Sequence, residues 1–322
     1  MNFGKKFYKP RGIILKKKLS NLKSWSFKVW NADINKIDYV ITGILLLFCY
    51  FSYLFGDIVV TGNRSFLYHT NPLDFYDECF KWTGDYGANY MPSTFILFAI
   101  WNLPLRLFGR VPGTVYVNSI VNNMWYKLLP VIVYYISAQL IYKIGIYLGF
   151  SEKKAKLCKY AFLTCPLAVF SQFIFGQYDI FTILFILLGF YYFLKDDTKK
   201  FILFFGIAVT FKYQALVYFA VLLLLKEKRV LAIIRNVFLV SLPLLLEILI
   251  YYPSVYFRKS VLGFGAISYI QTGINLGGLS EISPFLAVCI GLAVAAYLIK
   301  TDNSPAQLFK WGVFLGNGVS FA

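Results

Sequence analysis

Long apolar runs recur along the chain, and several approach the ~20 residues that a helix needs to cross a bilayer. Of the 322 residues, 59% are hydrophobic and only 15% are charged. Soluble domains are roughly half apolar and a quarter charged. The pattern therefore excludes a soluble enzyme, a disordered chain and a disulfide-held scaffold. It predicts an all-α fold, a polytopic transmembrane helical bundle.

Positive charge is concentrated at the N-terminus. Residues 1–37 contain ten lysines and arginines but one acid, Asp33. Such a segment is typical of the cytosolic side of a membrane, where it meets anionic lipid. Its helical spacing of apolar residues favours a helix on the membrane surface. A basic arm can also bind nucleic acid, but the membrane context argues against that partner. We therefore predict a basic cytosolic tail over 1–37 and a transmembrane domain over 38–322.

Charge and length predict the path of the first half of the chain. A span over 37–56 would leave the cytosol, and the acidic segment after it, 57–90, fits the outer face. Residues 91–108 are apolar but short and contain prolines, which favours a re-entrant or interfacial helix. A return span over 128–148 leads to a lysine-rich segment. The outer loop, about 57–127, is thus expected to hold juxtamembrane helices.

The second half contains further apolar runs. Spans are predicted at 160–175, 180–194, 230–252 and 285–299. The run 201–225 has basic residues at both ends, so a single crossing would break the positive-inside rule. Its middle holds Lys212, which costs about 2.5–3.5 kcal/mol at the bilayer centre. Two short helices meeting at Lys212 in a water-filled cavity remove both difficulties. The chain stops at Ala322 in another apolar run, as expected if C-terminal spans are missing.

Three polar features could carry chemistry. Asp57, at the outer end of the first span, can act as a general base or simply be a solvated acid. The turn Gly176–Asp179 can face substrate, or Asp179 can cap the next helix. Lys212 can neutralise a phosphate, or it can form an internal ion pair with Glu247.

Neither a metal site nor a redox site is expected. The scattered cysteines form no disulfide framework and no metal-binding pattern, and we expect them to be small core residues. His69, the one histidine, has no potential metal ligand clustered around it in the sequence. The cysteines are Cys49, Cys79, Cys158, Cys165 and Cys289.

Four segments resemble motifs of the GT-C superfamily, polytopic glycosyltransferases that use polyprenyl-phosphate sugars. Gly56-Asp57 resembles the acidic motif of the first outer loop, and the segment from Gly84-Asp85 to Pro92 resembles the entry to the juxtamembrane helix. Phe175-Gly-Gln-Tyr-Asp179 is similar to the GQxD turn of bacterial members. The segment AVTFKYQALVY, residues 208–218, is similar to the FKQMALYY or KPQAL stretch.

The resemblance implies an inverting, metal-independent sugar transfer on the outer face, to a glycan or lipid-linked acceptor. Asp57 would be the general base, Asp85 would position a substrate, and Lys212 would contact the lipid phosphate. The other residues implied are Gln177, Asp179 and Gln214 for the donor, and Asp74, Asp77, Tyr90, Gln271 and Asn275 for substrate. Asp74 and Asp77 are also rival bases. If Asp57 and Asp85 converge, a divalent cation becomes a candidate cofactor; otherwise none is expected.

Two other functions fit the same pattern. A transporter or flippase of a lipid-linked saccharide would also need broken helices and buried charge, but it would not need a base in the outer loop. A structural partner in cell-envelope synthesis would need neither Asp57 nor Lys212. The expected location is a bacterial plasma membrane with a cytoplasmic N-terminus.

Overall fold

Helices joined by turns make up the parts of the chain that the computed structural model describes, which are residues 33–84, 88–108, 119–263, 284–299 and 304–320. An α-helix satisfies its backbone hydrogen bonds within one segment, as an apolar medium requires. The all-α expectation is confirmed for these residues. In chain order the helices are α1 (Lys36–Ser52), α2 (Gly56–Arg64), α3 (Phe75–Thr83), α4 (Pro92–Leu107), α5 (Ile120–Tyr147), α6 (Glu152–Thr164), α7 (Pro166–Val169), α8 (Ile180–Leu194), α9 (Thr198–Phe211), α10 (Ala215–Lys226), α11 (Val230–Tyr251), α12 (Val255–Phe257), α13 (Pro284–Leu298) and α14 (Pro305–Ser320).

The first helix ends earlier than predicted. We expected a span over 37–56 with Asp57 at its outer end, but α1 stops at Ser52 and the chain then bends by 70° into α2. Lys127 of α5 binds this end, since its fully buried ammonium donates to the carbonyls of Tyr53 (2.6 Å), Tyr50 (2.7 Å) and Cys49 (3.3 Å). A cation that caps the last carbonyls of a helix satisfies groups that would otherwise lack a partner, and so favours a helix end at that position. Asp57 consequently lies in the first turn of α2.

Two more boundaries differ from the prediction. Helix α5 begins at Ile120 rather than at 128, because its polar first turns are buried against protein, as in the hydrogen bond from Tyr126 to Asn63 (2.9 Å). Hydropathy alone does not detect polar residues that face a neighbouring helix. Helix α6 begins at Glu152, inside the predicted loop, where the Ser151 hydroxyl accepts the Lys154 N–H (3.3 Å). It bends by 50° before Pro166.

The later helices follow the prediction more closely. Helix α8 has the predicted bounds, and α11 ends one residue before its prediction. The predicted break at Lys212 is confirmed, since α9 ends at Phe211 and α10 begins at Ala215. The segment that follows α11 starts with α12 and a π-helical turn, Arg258–Leu262.

Two of the described helices, α5 and α11, are long and apolar enough to cross a membrane, and the number rises to four if each bent pair is one span. Helix α8, with 15 residues, extends about 22 Å, short of the ~30 Å hydrocarbon core. Large apolar side chains of α11 are exposed, such as Leu231 (83%) and Leu249 (71%). An apolar surface of this kind is expected to face lipid. These helices support a membrane protein, while the full number of crossings stays a prediction.

Aromatic residues dominate the packing around the C-terminal end of α1 and the N-terminal end of α5. One cluster of buried side chains joins α1, α2, α4 and α5 to the turn before α8. Ile58 and Tyr178, which flank the carboxyl group of Asp57 in the fold, are 0% and 3% exposed in this cluster. A second cluster joins α8, α9, α10 and α14. The polar residues discussed next therefore rest on closely packed elements.

Candidate functional site

The centre of the candidate site is the carboxylate of Asp57, in the first turn of α2. The backbone N–H groups at a helix N-terminus carry partial positive charge, which favours an acid there. Phe55, the residue before the helix, has extended backbone and stacks on Phe175 with ring centroids 3.8 Å apart. This contact joins the start of α2 to the turn before α8.

Three side chains donate hydrogen bonds to one oxygen of Asp57, Oδ2. The hydroxyl of Tyr90 lies at 3.1 Å, the hydroxyl of Tyr178 at 3.3 Å and the amide Nε2 of Gln177 at 3.5 Å. Tyr178 also shares a hydrogen bond with the Thr61 hydroxyl (2.9 Å), one turn along α2. The donors therefore come from two segments that are far from Asp57 in sequence.

The electrostatic balance at Asp57 is set first by burial. Burial raises the pKa of the Asp57 carboxyl above its ordinary value, the hydrogen bonds from Tyr90 and Tyr178 lower it, and the nearby charge of Asp179 raises it again. The charge of Arg64 is a smaller influence that lowers it. Burial also raises the pKa of both tyrosine hydroxyls, so they remain protonated donors. The outcome is a carboxyl group with a raised pKa, as a general base near neutral pH requires.

The turn before α8 places both Gln177 and Asp179 at this site. Gly176 has φ of 72° and lies so close to Ile58 that a Cβ would come within 3.3 Å of that side chain, so the turn needs glycine. The Gln177 N–H donates to the Ser171 carbonyl (2.8 Å) and closes a second π-helical turn, Phe170–Phe175. Asp179 is at the N-cap position of α8 but makes no side-chain capping bond.

The carboxylate of Asp179 instead pairs with Lys212. The Lys212 ammonium donates to Asp179 Oδ2 at 2.7 Å, and each side chain is 39% exposed. Lys212 has extended backbone between α9 and α10, so its side chain leaves the helix axis at the break. Of the two interpretations of Lys212, the ion pair is therefore present, but its partner is Asp179 and not Glu247, whose side chain binds Ser93.

Glu247, on α11, belongs to a separate polar contact just below this pair. The hydroxyl of Ser93 donates to Glu247 Oε1 and lies 2.8 Å from the Thr210 hydroxyl. Ser93 is three residues after Tyr90, and Thr210 is two residues before Lys212. The contact therefore fixes α4, α9 and α11 to one another directly beside the site.

Ser93→Ala is expected to destabilise the protein. Glu247 Oε2 is buried and has no hydrogen-bond partner among the described residues, so the variant would leave the carboxyl group with the backbone N–H of Ser93 but without its hydroxyl donor. An unsatisfied buried group costs about 1–3 kcal/mol, which should lower the melting temperature of the detergent-purified protein. Ser137→Ala is the matched control, because that buried hydroxyl bonds the Val133 carbonyl of its own helix (2.8 Å). Equal melting temperatures for the two variants would contradict the prediction.

Other predicted residues lie apart from Asp57. Asp74 and Asp77 belong to a charge cluster around Lys81, which also pairs with Glu78 (2.7 Å), and neither is among the groups that bind Asp57. They lie apart from the group of side chains around Asp57, and their role as rival bases stays a prediction. Gln214 is exposed at the break, next to Lys212. Asp85, Gln271 and Asn275 lie outside the described residues.

Sequence reasoning overlooked four residues that support the site: Thr61, Ser93, Lys127 and Tyr178. Tyr178 was within the turn that we had singled out, and its position next to Gln177 was the available signal. The side chains of Thr61 and Ser93 act through contacts between distant segments, which leave no pattern in a single sequence. None of the five cysteines forms a disulfide bond, and among the described residues no group of three His, Cys, Asp or Glu side chains could hold a metal ion.

The site thus combines a half-buried carboxylate, phenol and amide donors, and a lysine ion pair at a helix break. Comparison of the chain with protein-family models, with curated proteins and with solved structures gives no match.

Proposed function

We propose that the chain is a membrane glycosyltransferase of the GT-C type, which transfers a sugar from a polyprenyl-phosphate donor to a glycan or lipid-linked acceptor. The observation that supports this most is the Asp57 carboxylate, bound by Tyr90 and Tyr178 and adjacent to the Lys212–Asp179 pair. A base and a cation on one surface match the two charge movements of glycosyl transfer from a phosphate.

In the proposed reaction, Asp57 takes the proton of the acceptor hydroxyl as that oxygen attacks the anomeric carbon. The bond between this carbon and the phosphate oxygen breaks, and the lipid phosphate leaves with the electron pair. A single displacement inverts the configuration at the anomeric carbon. One base suffices, and no covalent sugar intermediate forms. The hydroxyls of Tyr90 and Tyr178 would keep Asp57 oriented throughout.

Lys212 would neutralise the phosphate charge that grows as the bond breaks. An ammonium group has three donors, and the bond to Asp179 uses one of them, so a phosphate oxygen could bind the same lysine. Asp179 and the amide of Gln177 would then accept or donate hydrogen bonds to sugar hydroxyls. Asp57 and Asp179 are the two carboxylates in the described part of the site, and the proposed reaction uses Asp57 as its base.

The experiment that tests the function uses purified protein and a panel of radiolabelled polyprenyl-phosphate and polyprenyl-diphosphate sugars. We expect consumption of one donor, with release of the lipid phosphate. Binding of a lipid-linked saccharide without consumption, together with its movement across vesicles, would instead favour a flippase. The broken helix at Lys212 is the observation that keeps this alternative open. If the protein binds no donor, both the transferase and the flippase proposals are refuted.

We further propose a multi-pass plasma-membrane protein with its N-terminus in the cytoplasm.

Lys212→Gln is expected to weaken donor binding by about 10- to 150-fold, the usual loss for one hydrogen bond to a charged group. The dissociation constant of the radiolabelled donor measures this. Lys226→Gln is the matched control, because Lys226 also pairs with an aspartate, Asp196 (2.5 Å), at the other end of α10. An equal loss in both variants would show that Lys212 matters only for folding.

A further inference from the structure

A basic cavity lies at the end of α1 opposite Asp57. It has a volume of about 390 Å³ and opens between the start of α1, the last turns of α5, and α6. Helix α1 has 17 residues, so the cavity is about 25 Å from the candidate site along the helix axis. The polar residues that line it are Lys36, Tyr39, Gln139, Tyr142, Lys156 and Lys159.

Positive charge dominates this cavity, because three lysines line it and no acid does. The carboxylates of neighbouring residues are already engaged: Glu152 pairs with Lys156 (2.7 Å), Asp33 pairs with Lys153 (2.6 Å), and Asp38 accepts the backbone N–H of Asn35 (2.7 Å). Lys159 lies 5.7 Å from the ring centroid of Tyr39, which holds its ammonium near the cavity. The chemistry is that of a phosphate-binding surface.

The surroundings of the cavity are apolar. Ile37, Val40 and Ile41 of α1 are 69%, 60% and 53% exposed. Gln139 is an exposed amide on α5, a helix long and apolar enough to cross a membrane. A polar side chain on the lipid side of such a helix is costly unless a polar group meets it. A basic cavity beside an exposed apolar face matches a charged headgroup attached to acyl chains.

We propose that this cavity binds the phosphate headgroup of an anionic membrane phospholipid. Lys36, Lys156 and Lys159 would neutralise the phosphate, and Gln139 and Tyr142 would bind the glycerol or headgroup oxygens. The acyl chains would lie along the exposed face of α1. The site is separate from the donor site at Asp57, and it requires no assumption about sugar transfer.

The test is a titration of the purified protein in detergent with phosphatidylglycerol or phosphatidylcholine, followed by native mass spectrometry. The parent protein should bind phosphatidylglycerol more tightly than phosphatidylcholine. Lys36→Gln/Lys159→Gln should weaken that binding by about 30-fold, from about 1 kcal/mol for each lysine near a phosphate. Lys195→Gln/Lys199→Gln is the control, because it removes the same net charge from the end of α8 and the first turn of α9.

These comparisons distinguish a specific lipid-binding site from nonspecific electrostatic attraction. An equal loss in the two double variants, or equal binding of the two lipids, would overturn the proposal. Inorganic phosphate should not displace the lipid, because the acyl chains contribute to its binding. Displacement by millimolar phosphate would assign the cavity to a soluble anion instead. The single variant Lys36→Gln, at an exposed position, keeps the test valid if the double variant fails to fold.

Discussion

The Asp57→Asn protein is expected to transfer sugar about 100- to 10,000-fold more slowly than the parent, the usual contribution of a general base. An asparagine keeps the size of the side chain, and its carbonyl oxygen still accepts the hydrogen bonds from Tyr90 and Tyr178. The variant loses only the ability to take a proton. We therefore expect donor binding close to that of the parent, with the loss confined to turnover of the radiolabelled donor.

The pH profile gives a second readout of the same base. Because burial raises the pKa of Asp57, its carboxyl is protonated at a higher pH than the ~3.9 of a solvated aspartate. A protonated carboxyl cannot act as a base, so turnover by the parent should fall as the pH drops through the raised value. In Asp57→Asn the remaining slow turnover should lack this decrease.

Asp77→Asn is the control for charge in the acidic segment that follows Asp57. The structure associates Asp77 with the cluster around Lys81 rather than with the Asp57 donors, so this variant should keep the turnover of the parent. A large loss in Asp77→Asn with normal turnover in Asp57→Asn would assign the base to the acidic segment of α3 and refute our assignment.

The broken helix could be predicted because its cause is local. A lysine in the middle of an apolar run has a high cost that every fold of this chain must remove, and a helix break exposed to water removes it. The partner of Lys212 could not be predicted in the same way. Glu247 was the obvious candidate because it is the acid in the next apolar run. The sequence does not show which helix faces come into contact, because that depends on packing. Packing brings Asp179 to Lys212 and Ser93 to Glu247.

The position of Asp57 was predicted only in part. The acidic residue after the first apolar run was evident from the sequence, as was the turn that supplies Gln177. The end of α1 was not, because hydropathy continues through Tyr53, Leu54 and Phe55 without a break. The structure ends the helix through Lys127, a residue on another helix that acts on backbone carbonyls. Carbonyl groups occur at every position, so a contact of this kind has no sequence signature.

Lys127 should consequently matter more for stability than any surface lysine. Lys127→Met keeps most of the side-chain volume but leaves the carbonyls of Cys49, Tyr50 and Tyr53 without this donor. Unsatisfied buried groups cost about 1–3 kcal/mol each, and the removal of a buried charge offsets part of this cost. We therefore expect the free energy of unfolding to fall by about 2–4 kcal/mol. Unfolding of the detergent-purified protein by heat or denaturant measures it.

Two controls test this prediction, one at another lysine of the same helix and one at Lys127 itself. Lys143→Met changes an exposed lysine of α5 and should leave the melting temperature unchanged. Lys127→Arg keeps a buried cation and should recover part of the lost stability.

Because the three residues after α1 connect directly to α2, releasing the α1 carbonyls should also move Asp57 relative to Tyr90 and Tyr178. Turnover by Lys127→Met should therefore fall even under conditions where the protein stays folded. Normal turnover in a folded but less stable variant would show that the lysine caps α1 without positioning the carboxylate.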